Sequence, residues 1–299
     1  MASSRMMSSP AANLTPSTPA TRRWTEHPLP TRRVRLFSSA PAPELAGVVG
    51  RFWLVRAEAP LDTPAVRRCA GKAGVDLVLT LDGHFCERAE QTLLRPGERH
   101  PYVIGPMSQP APVVSSGRCT AVGVRIQPGR GSALLRTSLG GLRDRVVRLD
   151  ALVPAALRGR AGAPVSDHPE VEVARLEQLL LALGARGGMS DPLVGRAVEL
   201  IDGRRGALTV EELARSTGST VRQLQRRFQD GVGLSPKAHG RIARVSHAMA
   251  LLGPGARAGF ADVVEACGFY DQAHLIREFR ALVGTTPGAF LRERTRRCD

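Results

Sequence analysis

Two short stretches near the C-terminus concentrate side chains able to recognise a nucleic acid: Arg222, Gln225 and Arg226 in one, and Gln272, His274 and Arg277 in the other. A guanidinium can fork onto guanine O6 and N7, which contributes about 1–3 kcal/mol of base discrimination, and a glutamine amide suits adenine N6 and N7. The same arginines can instead grip phosphate, which adds affinity without reading sequence, and both roles stay open at this level. His274 could contact a base or a phosphate; a lone histidine makes neither a metal site nor a catalytic pair.

These side chains need helices to present them. In Leu208-Thr209-Val210-Glu211-Glu212-Leu213-Ala214 a threonine stands three residues before a glutamate, a capping box that starts a short helix ending at Gly218. Thr220 offers a second N-cap. Leu224 and Phe228 then face inward, leaving Arg222, Gln225, Arg226 and Arg227 on the other sides. Ala214 is small enough for the two helices to approach closely. About fifty residues on, Phe260 to Cys267 reads as a short helix, Gly268-Phe269 as a turn, and Asp271 as the cap of a helix through Phe279. Gly233-Leu234-Ser235-Pro236 follows the first unit and Gly284-Thr285-Thr286-Pro287 the second, so the two are quasi-repeats. Each is a helix, a glycine turn and a second helix with an exposed polar face. Residues 236–252 predict a connecting helix, interrupted at Gly240, with Ile242, Val245, Met249 and Leu252 on one face. Such a rod is roughly 25 Å long and could hold two reading helices on the order of 34 Å apart, one turn of B-DNA.

Gly-Leu-Ser-Pro at 233–236 and Gly-Phe-Tyr-Asp-Gln-Ala-His-Leu at 268–275 resemble the DNA-binding domain of the AraC/XylS family of bacterial transcription regulators, over residues 195–294. The resemblance implies seven helices. It also implies base-reading positions at Arg222, Gln225 and Arg226 in the first unit and at Gln272, Ala273, His274 and Arg277 in the second; Arg227 completes the candidate DNA-contact set. Val264, where the family usually has alanine, Val221 and Gly240 depart from its pattern in packing detail. Residues 43–152 resemble, more weakly, an uncharacterised N-terminal domain of some members. The matching pieces are Val49-Gly50-Arg51-Phe52-Trp53-Leu54, Gly74-Val75-Asp76-Leu77-Val78 and Gly123-Val124-Arg125-Ile126-Gln127-Pro128-Gly129. In relatives that position holds a small-molecule sensor or a dimerisation module.

The expected architecture is α+β and multidomain: a β-rich N-terminal domain, then an all-α domain of two helix-turn-helix units joined by a linker helix. Residues 1–43 carry six arginines against a single acid, Glu26, and are rich in Ser, Pro, Thr and Ala, so they read as a disordered tail, with Met6 and Met7 as alternative starts. Neither a transit peptide nor a twin-arginine signal at Arg22-Arg23 finds its expected continuation. Across 44–152, short apolar runs at 48–55, 75–81, 102–104 and 121–126 predict strands, and 132–135 a helical piece. Residues 153–190 read as a linker carrying one amphipathic helix, with Val173, Leu176, Leu179, Leu180 and Leu183 at helical spacing, and 191–299 as the DNA-binding domain.

The chain has 299 residues, 42% hydrophobic and 23% charged, and a net charge of +15, which suits a polyanionic partner. Only Lys72 and Lys237 are lysines, although a GC-rich coding sequence explains most of the arginines. No apolar run is long enough for a membrane span. Cys69, Cys86, Cys119, Cys267 and Cys298 are odd in number and lack a paired spacing, which fits a reducing, cytoplasmic setting. His84, Cys86, Glu87 and His100 are too scattered for a metal site. Phe52, Trp53 and Asp76 read equally as pocket residues or as a core aromatic pair and a turn carboxylate. Phe228, Phe269, Phe279 and Phe290 suit the helical cores better than base stacking, and Cys267 suits a buried small hydrophobe better than an alkyl acceptor. The expectation is a non-enzymatic, sequence-specific regulator without metal or cofactor, whose partners are double-stranded DNA, RNA polymerase, a small-molecule effector and a second copy of itself. The alternatives are an enzyme or ligand-binding protein with its site in the β-rich half, and a non-specific architectural DNA protein.

Overall fold

The computed structural model describes residues 22–27, 34–59, 65–87, 101–161, 166–184, 191–253 and 258–295. The first half is one antiparallel sheet. Its strands are β1 (Thr25–His27), β2 (Val34–Ser39), β3 (Val49–Ala59), β4 (Ala65–Cys69), β5 (Val75–Glu87), β6 (Tyr102–Ile104), β7 (Ala111–Ile126) and β8 (Val146–Arg148). They lie in the order β1-β2-β3-β7-β5-β6-β8, with β4 also paired to β7. The helices are α1 (Gly131–Leu135), α2 (Ala155–Ala161), α3 (Pro169–Ala182), α4 (Pro192–Gly203), α5 (Val210–Ser216), α6 (Val221–Val232), α7 (Pro236–Leu251), α8 (Phe260–Cys267), α9 (Gln272–Val283) and α10 (Pro287–Thr295).

The four expected strand regions and the helical piece at 132–135 are present. Because side chains alternate along a strand, β7 feeds two cores at once. Val122, Val124 and Ile126 join one apolar cluster, while Cys119 and Ala121 join another on the opposite face. Phe52 lies in the first and Trp53 in the second, so the adjacent aromatics are buried back to back rather than side by side. Asp76 is not in a turn. It sits on β5, 2% exposed, hydrogen-bonded by Lys72 at 2.6 Å and by the Arg125 fork at 2.8 Å. Burial alone would raise its pKa; the two cations outweigh burial and hold it well below the usual carboxylate range.

Two boundaries differ from expectation. The segment assigned to a disordered tail supplies β1 and β2, paired along Val34↔Ala57 to Ser39↔Phe52 with β3. Ahead of these strands Arg22 lies over the Phe52 ring and pairs with Glu177, and Trp24 Nε1 donates to Glu170 at 2.8 Å, so this segment clasps α3. A compositional reading misses such pairing because strand partners are distant in sequence. The segment read as a linker with one amphipathic helix does hold that helix, α3, but it is packed into the sheet domain rather than standing apart. The segment also contains α2, and α3 packs Val173, Leu176, Leu179 and Leu180 into the sheet's first core. Residues 1–21, 28–33, 162–165 and 185–190, which fall in the expected tail and linker, lie outside the described residues. So do His100, Cys298 and the side chains of His84, Cys86 and Glu87. Among the described residues no helix is long and apolar enough to cross a membrane.

Leu180 is fully buried against the sheet. Leu180→Ala is expected to destabilise the protein by about 2–5 kcal/mol in urea unfolding; a linker residue would change it by less than about 0.5 kcal/mol.

Candidate nucleic-acid interface

The described residues of the C-terminal half contain seven helices, α4 to α10, as the resemblance implies. The expected capping box forms, and the N-cap expected at Thr220 turns out to be a second box. Thr209 Oγ1 accepts the Glu212 N–H at 3.1 Å while Glu212 accepts the Thr209 N–H at 2.8 Å, and Thr220 and Gln223 repeat the exchange at the head of α6. Asp271 caps α9 by accepting the His274 N–H at 2.6 Å. The units match in detail. Left-handed Gly218 and Gly268 make the turns, and α6 and α9 have 12 residues each and end on left-handed Gly233 and Gly284. Ser235 then caps α7 and Thr286 caps α10, each ahead of a proline.

Both units share one apolar core. Ala214, Leu224 and Phe228 from the first and Cys267, Leu275 and Phe279 from the second lie in the same buried cluster, together with Ile242 and Val245 of α7 and Leu252 at its C-cap. Phe228 and Phe279 are fully buried, Phe269 and Phe290 nearly so, and Phe290 meets Phe279 edge to face at 5.3 Å. The phenylalanines are core, as expected. Cys267 is 4% exposed and burial pushes its thiol up, the behaviour of a small inert hydrophobe.

Gly240 does not interrupt α7, which runs through it unbroken. Instead the chain after α4 crosses it closely at Gly206, whose own lack of a side chain permits the approach. A Cβ at Gly206, itself at φ +77°, would sit 2.0 Å from the Gly240 carbonyl oxygen. Arg244 donates to the Gly206 carbonyl at 2.7 Å and secures the crossing. One residue on from Gly240, α7 is tied to α9 by the Arg241 fork on Glu278, at 2.6 and 3.1 Å.

With Leu224 and Phe228 buried, α6 leaves Arg222, Gln225 and Arg226 exposed on its outer side. Arg227 is different: its guanidinium forks onto Asp191, which also caps α4 by accepting the Leu193 N–H at 2.9 Å. That arginine is engaged in an intramolecular ion pair at a half-exposed position. On α9, Gln272, Ala273 and Arg277 are exposed and His274 is half-buried against Phe269. His274 Nδ1 accepts the Tyr270 N–H at 3.2 Å, which leaves the proton of a neutral ring on Nε2. Sequence reasoning passed over Tyr270. It is 91% exposed, directly before the α9 cap, and its signal was an aromatic in a turn that no core position claims.

The geometry is that of a tandem helix-turn-helix domain behind a β-rich domain. Residues 213–293 match the family model described as a helix-turn-helix domain, and residues 38–148 match a domain of unknown function, DUF6597. The chain thus carries a helix-turn-helix domain C-terminal to a DUF6597 domain. No curated protein matches it. Similar solved structures include the C-terminal domain of AraT, a response regulator from Geobacillus stearothermophilus (24% identity over 35% of this chain and 87% of that one, TM-score 0.33). The DNA-binding domain of the global transcriptional factor AdpA, in complex with a target DNA, is similar at 29% identity over 37% of this chain and 99% of that one, TM-score 0.34. ToxT from Vibrio cholerae is similar at 11% over 78% and 98%, TM-score 0.43.

Two measurements test the site's construction. Leu224→Ala is expected to lower stability by about 2–5 kcal/mol through a core cavity, whereas Arg226→Ala should melt like the parent. Partial burial works against the Asp191 carboxylate, but hydrogen bonds from Arg227 and Leu193 outweigh it and lower the pKa. A lowered folded pKa gives stability that is complete above the ordinary carboxylate range and is lost as pH falls through the folded value. Asp191→Ala should therefore cost about 0.5–2 kcal/mol at neutral pH, and the gap to the parent should narrow in acid unfolding below that range.

Proposed function

We propose that the protein is a sequence-specific regulator that reads two successive major grooves on one face of a duplex, with α6 in one and α9 in the other. The observation that carries this reading is the pair of matched, capped 12-residue helices, each burying one face in a common core and exposing polar side chains on the other. Arg222, Gln225 and Arg226 form the first reading face and Gln272, Ala273, His274 and Arg277 the second, by direct hydrogen bonds or apolar contact with base edges. Arg227 orients α6 through Asp191 and acts on DNA only indirectly. Tyr270 extends the second face, where its phenol can donate to a phosphate. The remaining arginines supply the salt-dependent, sequence-independent share of affinity. The bound protein acts on RNA polymerase. The β-rich domain serves as a sensor for a small molecule or as a dimerisation module, and the reading assigns the chain no catalysis.

Selection of bound sites from random duplexes at one stated salt concentration tests specificity. The selected site should be preferred over random DNA by about 10³ or more; equal binding to both would make the protein architectural instead. On that site, Arg226→Ala and Arg277→Ala should each cost about 1–3 kcal/mol and relax base preference at separate positions about one helical turn apart. Footprints and preferences identical to the parent's would remove these two side chains from the reading faces.

A further inference from the structure

The β-rich domain touches both reading units, and it does so at the same end of each recognition helix. At the C-terminal end of α6, a Cβ on left-handed Gly233 would lie 2.6 Å from the Leu139 carbonyl oxygen and 2.9 Å from Pro106 Cγ. Next to that contact Ser138 Oγ donates to Asp230 at 2.9 Å. In the last turn of α9, the Leu282 carbonyl accepts the Gly71 N–H at 2.8 Å, and neighbouring Ala73 is buried in the helical domain's core.

The two grips belong to one stiff piece of backbone. Lys72 and Met107 exchange both main-chain hydrogen bonds, at 2.9 and 2.8 Å, joining the loop that holds α9 to the segment that holds α6. Lys72 is in turn pinned to the sheet through Asp76, which Arg125 holds from β7. Pro106 accepts the Asp144 N–H at 2.8 Å, and the Asp144 carboxylate receives the Ser108 N–H and hydroxyl, closing the segment around the contact with α6. A hydrogen-bonded and covalent path thus runs from α9 through Gly71, Lys72 and Met107 to Pro106, which packs against Gly233 at the end of α6.

We infer that the β-rich domain is a spacer gauge: through Gly71 and Ser138 it sets the separation and relative tilt of the two recognition helices, and so the number of base pairs between the half-sites that the protein accepts. The inference rests on the reading of α6 and α9 as paired groove-binding helices. Each helix is about 18 Å long, so a small rotation at the gripped end is amplified at the far end, where Arg222 and Gln272 lie. Gly71 and Ser138 are positioning residues and touch no base.

The test uses the full chain and the selected site, with the distance between its two halves changed by one and two base pairs in either direction. Ser138→Asp keeps a capping oxygen for the Gly140 N–H but sets a carboxylate against Asp230, which should loosen the grip on α6. Gly71→Val places a side chain against the Met107 carbonyl and Leu282, where a Cβ alone would come to 3.0 and 3.2 Å. The parent should lose tenfold or more in affinity for each base pair of misspacing, and either variant should flatten that dependence at least threefold while melting as a folded protein. Asp230→Asn added to Ser138→Asp should restore the parent profile, a rescue that a general loss of stability would not give. If Gly71→Val fails to fold, the Ser138→Asp and rescue pair decides alone. A variant profile as steep as the parent's overturns the gauge and leaves the two-groove reading intact. A parent that selects no site, or one with a single uninterrupted half, overturns the two-groove reading and the gauge with it.

Discussion

Phe228 and Phe279 are buried in the same apolar cluster, although they lie in different helix-turn-helix units and about fifty residues apart. Sharing that core constrains everything else in the C-terminal half. Neither α6 nor α9 can rotate about its axis without exposing a phenylalanine, a loss of about 1.5–3 kcal/mol, so the polar face of each is held outward by the burial of the other. The connecting helix runs inside this core rather than spanning a gap, and the close crossing of Gly206 on Gly240 keeps α4 against it. The helical domain is one body with two polar faces.

Polar contacts refine what the core sets. Arg241 on Glu278 binds the connector to α9, and Arg227 on Asp191 binds α6 to the start of α4. Planar forks suit this work because two parallel hydrogen bonds fix an angle as well as a distance. An arginine-rich surface therefore divides into cations that hold helices in place and cations, such as Arg222, Arg226 and Arg277, that stay exposed to solvent. In the β-rich half, Asp76 with Lys72 and Arg125 forms a buried ionic group whose members depend on one another, since removal of one partner leaves an uncompensated charge. Its position beneath the loop that meets α9 makes it a structural anchor for the junction between the domains.

Much of the C-terminal half was legible beforehand because its signals are local. A capping box joins residues three apart, a left-handed glycine acts within its own turn, and helical periodicity shows within a dozen positions. The core strands at 75–81 and 121–126 were legible for a related reason, as short apolar runs bounded by turn residues. The N-terminal boundary was not. Residues 22–27 and 34–39 have the composition of a tail, and what makes them strands is the edge offered by β3 together with the contacts of Arg22 and Trp24 on α3. Helix α3 was read correctly as amphipathic, but a hydrophobic stripe does not name the surface that covers it, and the sheet that does so lies far earlier in the chain.

Arg226 and Arg227 mark the limit between the two kinds of information. They are neighbours of one type on one helix, and nothing in their local sequence separates them. The fold brings Asp191, thirty-six positions away, beside Arg227 and leaves Arg226 in solvent. The sequence by itself determined that two capped helices would each carry a polar face, because caps and periodicity depend on residues within one or two turns. Which cations on those faces stay free, and that the β-rich domain would grip both helices by their ends, only the tertiary structure decided, because these contacts join segments whose proximity exists only after the chain has packed.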